Sequence, residues 1–225
     1  MTVPQKYERE SNRDFALRAI RENIVNLELK PGSMVSEQEI ADALNLSRTP
    51  VHEALQEIAL TGIINVVPQK GSYVCYINMD YVDEAIFCRA TLESAIAQMA
   101  CKNAGDSDIA RLEENLSLQE FYVTKNNVEK FMELDNEFHH IIYEIANKKL
   151  CYKLMKMVNI HHDRIRELHL HSSNPNAVLE EHKAILECFK TQDGEKVKDL
   201  IVKHVTKFYL DADEIKKKYA QYFEN

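Results

Sequence analysis

The sequence predicts a mainly α-helical protein in which three helices and a β-hairpin, arranged as a winged helix-turn-helix, precede an antiparallel all-helical bundle. Three observations carry that expectation. Five Gly and five Pro among 225 residues, with 45% hydrophobic and 28% charged side chains, favour a helix-rich globule. Apolar residues recur at helical spacing, and from Met79 onward one helix follows another. Two β-branched and aromatic runs, Ile63 to Val67 and Ser72 to Tyr76, flank a glycine-bearing turn.

The length suffices for two domains of about 75 and 150 residues, each burying its own core. We place them at residues 1–77 and 78–225, joined directly at Ile77 to Tyr81. No run of about 18 apolar residues occurs, and the polar start MTVPQKYERESNRD lacks the apolar stretch of a secretory signal. A cytoplasmic protein with no membrane partner is expected. Five cysteines, odd in number and without a CxxC pair, argue against a disulfide framework and against a thiolate zinc site. The net charge of −8 gives no global basic signature, so nucleic-acid binding must rest on a local patch and oriented backbone groups.

The first helix is expected over Asn12 to Leu27, with Phe15, Ala16, Ile20, Ile24 and Leu27 on one side, and Pro31-Gly32 forms a turn after it. Ser36-Glu37-Gln38-Glu39 matches a capping box and opens a second helix through Leu44. Asn45 stands where the turn between two helices wants a left-handed residue. Ser47 caps the third helix, Pro50 falls in its first turn, and Val51, Ala54, Leu55 and Ile58 carry it toward Gly62. Two short helices joined by about three residues, the second presenting Arg48, Thr49 and His52 at its N-terminal end, describe a helix-turn-helix. The hairpin around Pro68-Gln69-Lys70-Gly71 then reads as a wing.

These residues carry a resemblance. The string LKPGSMVSEQEIADALNLSRTPVHEALQEIALTGIINVVPQKGSYV resembles the winged helix-turn-helix of GntR-superfamily transcription regulators, including the SRTPV segment and the wing glycine. The likeness implies a double-stranded DNA operator as partner, contacted by Gln38, Ser47, Arg48, Thr49, His52, Lys70 and Gly71. Gln38 and His52 depart from the arginines that many members carry there. Arginine is the commonest reader of guanine, so the operator sequence does not transfer from relatives.

Beyond Met79, breaks near Gly105-Asp106, Asn126-Asn127, Ala146-Asn147, Ser172 to Pro175 and Asp193-Gly194 divide the chain into about six helices. Three of them place a metal-ligand side chain where the period calls for a core hydrophobe. The stripes run Phe131, Leu134, Asp135, Phe138, His139, Ile142; then Val178, His182, Ile185, Leu186, Phe189; then Val197, Leu200, Ile201, His204, Val205, Phe208. One buried imidazole per helix is ordinarily a satisfied core residue, since a buried charge is costly unless paired or coordinated. Four such groups converging from three helices point to a metal. His140 lies off the stripe, His169 and His171 fall near a solvated helix end, and either of His161 and His162 has a register that faces the core. On the helix from Met79, Arg89 and Glu93 lie in or beside the core stripe. They are open to two readings: a mutual i, i+4 ion pair, or an arginine that grips a carboxylate bidentately.

This half resembles the FCD ligand-binding domain of the FadR-like branch of the same superfamily, through RATLE at 89–93, DxxxH at 135–139, EHKAIL at 181–186 and His204. The likeness implies Asp135, His139, His182 and His204 as ligands of a divalent ion, and a homodimeric repressor is expected. Three imidazoles and a carboxylate suit Zn, Ni, Mn or Fe. An octahedral ion would keep positions for a small carboxylic-acid effector, with Arg89 taking its remaining charge, whereas tetrahedral zinc would be closed and structural. A metal-dependent hydrolase or oxygenase is the competing class. The chain shows no HExxH, no nucleophile motif and no general base beside the ligands, so no catalytic residue is assigned.

Overall fold

The computed structural model describes residues 1–67, 70–169, 175–207 and 212–224. In chain order the elements are α1 (Asn12–Val25), β1 (Met34–Val35), α2 (Glu37–Leu44), α3 (Arg48–Ala59), β2 (Ile64–Val67), β3 (Gly71–Val74) and α4 (Met79–Asn103). There follow α5 (Asp106–Thr124), α6 (Val128–Ile145), α7 (Lys149–Val158), α8 (Ile160–His169), α9 (Pro175–Thr191), α10 (Gly194–Thr206) and α11 (Ala212–Lys218). The chain forms two compact units. One comprises Met1–Ala85, Met157–Leu168 and Asp213–Asn225, the other Ile86–Lys156 and His169–Ala212.

In the first unit, Ser11 caps α1 by accepting from the Asp14 N–H at 3.1 Å, and the helix buries Phe15, Ala16, Ala19, Ile20 and Ile24. It ends at Val25, two residues earlier than its pattern suggests, because Leu27 takes a positive φ of 59°. Ser36 accepts from the Glu39 N–H at 3.3 Å, which supplies one arm of the expected capping box. Asn45 is left-handed, at φ 53°, as the tight turn requires. Val51, Ala54, Leu55 and Ile58 of α3 join the α1 face in one apolar core that also takes in Ile160 of α8.

The expected two-stranded hairpin is a three-stranded antiparallel sheet of order β1-β3-β2. Met34 pairs with Tyr73 on one side of β3, and Asn65 on the other. A two-residue strand carries too little pattern to be read from sequence. Gly32, at φ 81°, has no room for a side chain, since a Cβ there would stand 2.6 Å from the Tyr76 hydroxyl. Pro68 and Gln69 of the expected wing loop, His171, Ser172 to Asn174 and Phe208 lie outside the described residues.

Segment 157–168 brings polar groups into this first unit. Arg164 is fully buried and donates to the Cys75 carbonyl at 2.7 Å, and burial draws its guanidinium down to about 10. Arg21 pairs with Asp163 at 3.1 Å. His161 Nε2 lies 2.7 Å from the Thr61 carbonyl and donates to it. Burial lowers the His161 pKa, against the opposing pull of that hydrogen bond. Its folded pKa thus lies below the unfolded value of 6.5, and the stability it leaves in place is full above that value and is lost as pH falls through it toward the folded pKa. Thermal unfolding between about pH 7.5 and 5 should show a steeper acid loss in the native protein than in His161→Gln. Parallel slopes would show that His161 does not set the acid limit.

The second unit is helical, and its ends are set by local chemistry. Asn127 and Asp193 accept at 3.0 Å from the Lys130 and Lys196 N–H groups at the starts of α6 and α10. Asn126, Asn147 and Gln192 turn left-handed at φ 53–54° where α5, α6 and α9 end. In it α5 packs on α6 and α9, and α9 packs on α10. Between Met79 and Lys218 the described residues form eight helices where about six were expected. Asn159 separates α7 from α8 without a Gly or Pro, and α11 follows a segment outside the described residues.

Candidate metal centre and nucleic-acid interface

On α6 the i, i+4 spacing puts Asp135 and His139 one turn apart on the buried face, while α9 presents His182 and α10 presents His204. One ligand atom from each of the four lies within 4.8 Å of all the others. Asp135 is 2% exposed and His182 0%. His139 Nε2 lies 3.2 Å from His204 Nε2, and His182 Nε2 lies 3.6 Å from Asp135 Oδ1. The structure thus brings together all four ligands expected from the sequence. His161 and His162, in the first unit, are not among them.

The second nitrogen of each ring explains why the Nε2 atoms face inward. His182 Nδ1 lies 2.9 Å from Gln119 Oε1. The orientation of that amide follows from its neighbours: Asn115 Nδ2 donates to the Leu134 carbonyl at 3.1 Å, so Asn115 Oδ1 accepts from Gln119 Nε2 at 2.7 Å. Gln119 therefore offers His182 an acceptor, the proton sits on Nδ1, and the Nε2 lone pair points to the centre. His204 Nδ1 donates to Glu181 Oε2 at 2.8 Å. His139 Nδ1 is in close contact with Glu93 Oε1.

Glu93 is wholly buried. Burial raises its pKa, but the charges of His139 and Arg89 outweigh this and hold the carboxyl well below the usual carboxylate range. The His139 pKa is lowered, first by burial, with Glu93 opposing. Arg89 Nε donates to Glu93 Oε2 at 3.1 Å, so of the two readings for Arg89 and Glu93 the ion pair is present. Three imidazole lone pairs and a carboxylate oxygen aimed at one buried point are an unfavourable arrangement without positive charge between them. The four donor atoms lie within 4.8 Å of one another, against about 4.2 Å for two ligands on opposite sides of an ion with bonds of about 2.1 Å. The residues fit a divalent ion.

The residues expected at a DNA interface are exposed on the first unit. Arg48 opens α3 with a 65% exposed side chain, Thr49 and His52 follow on that helix, and Gln38 bonds Asp42 at 2.7 Å. Ser47 occupies the N-cap without a side-chain cap bond, contrary to the expected capping role, so its hydroxyl is not spent on the helix. Lys70 and Gly71, the latter at φ 109°, lie exposed where β3 begins. Sequence reasoning missed Glu37. Its carboxylate takes Arg48 Nη2 at 3.1 Å and His52 Nδ1 at 2.7 Å. The hydrogen bond from His52 is the main cause of its lowered pKa, with Arg48 adding to it against burial. The available signal was its place in the first turn of α2, a helix expected to pack beside α3.

Two family models match the chain: the gntR family of bacterial regulatory proteins over residues 12–74, and the FCD domain over residues 84–207. Over 207 residues the chain is 31% identical to the HTH-type transcriptional repressor RspR of Escherichia coli strain K12, covering 92% of this chain and 91% of that protein. It is 29% identical over 142 residues to the Nta operon transcriptional regulator of Aminobacter aminovorans, covering 63% of this chain and 66% of that one. Among solved structures, E. coli McbR/YncC superposes with a TM-score of 0.80 at 20% identity, covering 93% of this chain and 99% of its own. A GntR regulator from Rhodococcus sp. RHA1 superposes at 0.69 with 21% identity, covering 92% and 98%. These superpositions show that the fold is shared.

Proposed function

Because the chain belongs to the GntR family of bacterial regulatory proteins and carries an FCD domain, we propose that it is a cytoplasmic, homodimeric repressor whose operator affinity is set by a small organic acid at a divalent metal ion. It is a transcription regulator and not an enzyme. In our reading residues 1–77 bind DNA and residues 78–225 bind effector and form the dimer. Repression is supported by the name of the relative RspR. The dimer is supported by an apolar groove between α4 and α10, lined by Ile86, Phe87, Ala90 and Val202, with Phe87 exposed. No helix among the described residues is long and apolar enough to cross a membrane.

The observation that carries this reading is the convergence of Asp135, His139, His182 and His204 on one point. When bound, the ion would supply positive charge and exchangeable positions for a carboxylate. Asp135 and Glu93 bring two negative charges to the pocket and Arg89 one positive; with a divalent ion the pocket is one positive charge in excess. A monoanionic acid restores neutrality, and Arg89 is the side chain we assign to it. Calorimetry with hydroxy acids, dicarboxylates and sugar acids on the metal-loaded protein should find at least one ligand, and Arg89→Ala should weaken it about tenfold or more. If no acid binds, or if Arg89→Ala leaves binding unchanged, effector sensing as described here fails and the ion is structural.

A further inference from the structure

The three ring partners have a second property. Glu93 lies on α4 and Gln119 on α5, two helices that supply no ligand, while Glu181 sits on α9 one residue before the ligand His182. Each faces Nδ1 of one histidine: Glu93 Oε1 stands in close contact with His139, while Gln119 accepts from His182 and Glu181 from His204. Two of the three are themselves oriented by a cation. Arg89 takes the second oxygen of Glu93, and Lys207 Nζ takes the second oxygen of Glu181. Gln119 is oriented by Asn115, which is in turn fixed by a backbone carbonyl of α6.

We propose that Glu93, Gln119 and Glu181 are the positioning residues of the metal centre, and that through Glu93 and Gln119 a bound ion also fastens α4 and α5. The proposal rests on the metal reading above. An acceptor on the other nitrogen fixes the tautomer and orientation in which an imidazole meets an ion, and a carboxylate acceptor makes the ring a stronger donor to it. The three locks differ in depth. Glu93 and Gln119 are buried, whereas Glu181 is half-buried at the rim and shares its charge with Lys207. Loss of either buried lock therefore has the larger effect.

The test uses the full-length protein and Zn²⁺ as probe, with affinity measured by competition against a chromophoric chelator. Glu93→Gln and Gln119→Ala should each lower Zn²⁺ affinity about tenfold to a hundredfold, and Glu181→Gln by less than about tenfold. Nitrogen-15 spectra of the histidine rings give a readout that packing alone would not move. Loaded wild type should show three rings with Nε2 on the ion and a proton on Nδ1. In Glu93→Ala the His139 ring should lose that single form, and Glu93→Gln, which keeps an acceptor, should restore it at reduced affinity. Removal of Zn²⁺ should speed amide exchange in α4 around Glu93 in wild type and not in Glu93→Ala. If wild type binds Zn²⁺ and the variants match its affinity with unchanged ring spectra, the positioning role is wrong while the metal site stands. Wild type that takes up no Zn²⁺ overturns both.

Discussion

Replacing His182 by alanine should abolish stoichiometric metal binding and remove the stabilisation that metal confers. His182 is fully buried, its Nε2 belongs to the four-atom cluster, and Gln119 holds its other nitrogen. Loss of a direct ligand should cost more than the roughly tenfold to hundredfold typical of a supporting partner. An ion present at about a hundred times its Kd stabilises the folded state by about 2.7 kcal/mol. For a chain of this length that corresponds to about 5–10 °C in melting temperature, at roughly 2–4 °C per kcal/mol. Elemental analysis and thermal unfolding with and without added ion check both parts. A His182→Ala protein that keeps one ion per chain, or a wild type whose melting point ignores added ion, would count against the site.

Arg48→Ala should weaken operator binding by about 1–3 kcal/mol and relax preference at one position in each half-site. The side chain opens the recognition helix, is well exposed, and is held by Glu37 together with His52. Glu37 presents the two side chains as a pair, and we propose that on DNA the guanidinium exchanges that carboxylate for a base edge. Binding measured across an operator and single-base variants separates the possibilities. Equal weakening on every sequence would assign Arg48 to a phosphate, and a full-affinity variant would remove it from the interface.

The parts of this molecule that were legible in sequence are those in which a local period or turn chemistry exposes an oddity. Asp135, His139, His182 and His204 stand out because a polar side chain occupies an apolar register, and no long-range information is needed to see it. Asn45 was readable because few residues tolerate a left-handed turn between helices. The partners of these rings were not readable, although Glu93 stood out in or beside the core stripe of its helix. Glu93 touches His139 across 46 positions of chain, and Gln119 meets His182 across 63. A glutamine or glutamate on a helix gives no sign of which histidine it will meet. The same holds for α8, whose sequence IHHDRIRELH gives no sign of the partners its polar side chains will meet. His161 and Arg164 are nonetheless buried, because the acceptors that satisfy them are backbone carbonyls of Thr61 and Cys75, set by the tertiary fold.

We propose that an acid bound at the metal centre changes the grip on DNA. The most direct test is fluorescence anisotropy of metal-loaded, full-length protein on operator DNA taken upstream of its own or adjacent genes, titrated with the panel of acids. We predict that the acid found by calorimetry weakens operator binding by about 5-fold to 150-fold, equivalent to 1–3 kcal/mol of coupling, and that the effect disappears in His182→Ala and after chelation. Operator affinity that stays the same at saturating acid, with metal bound and the acid shown to occupy the protein, would contradict it.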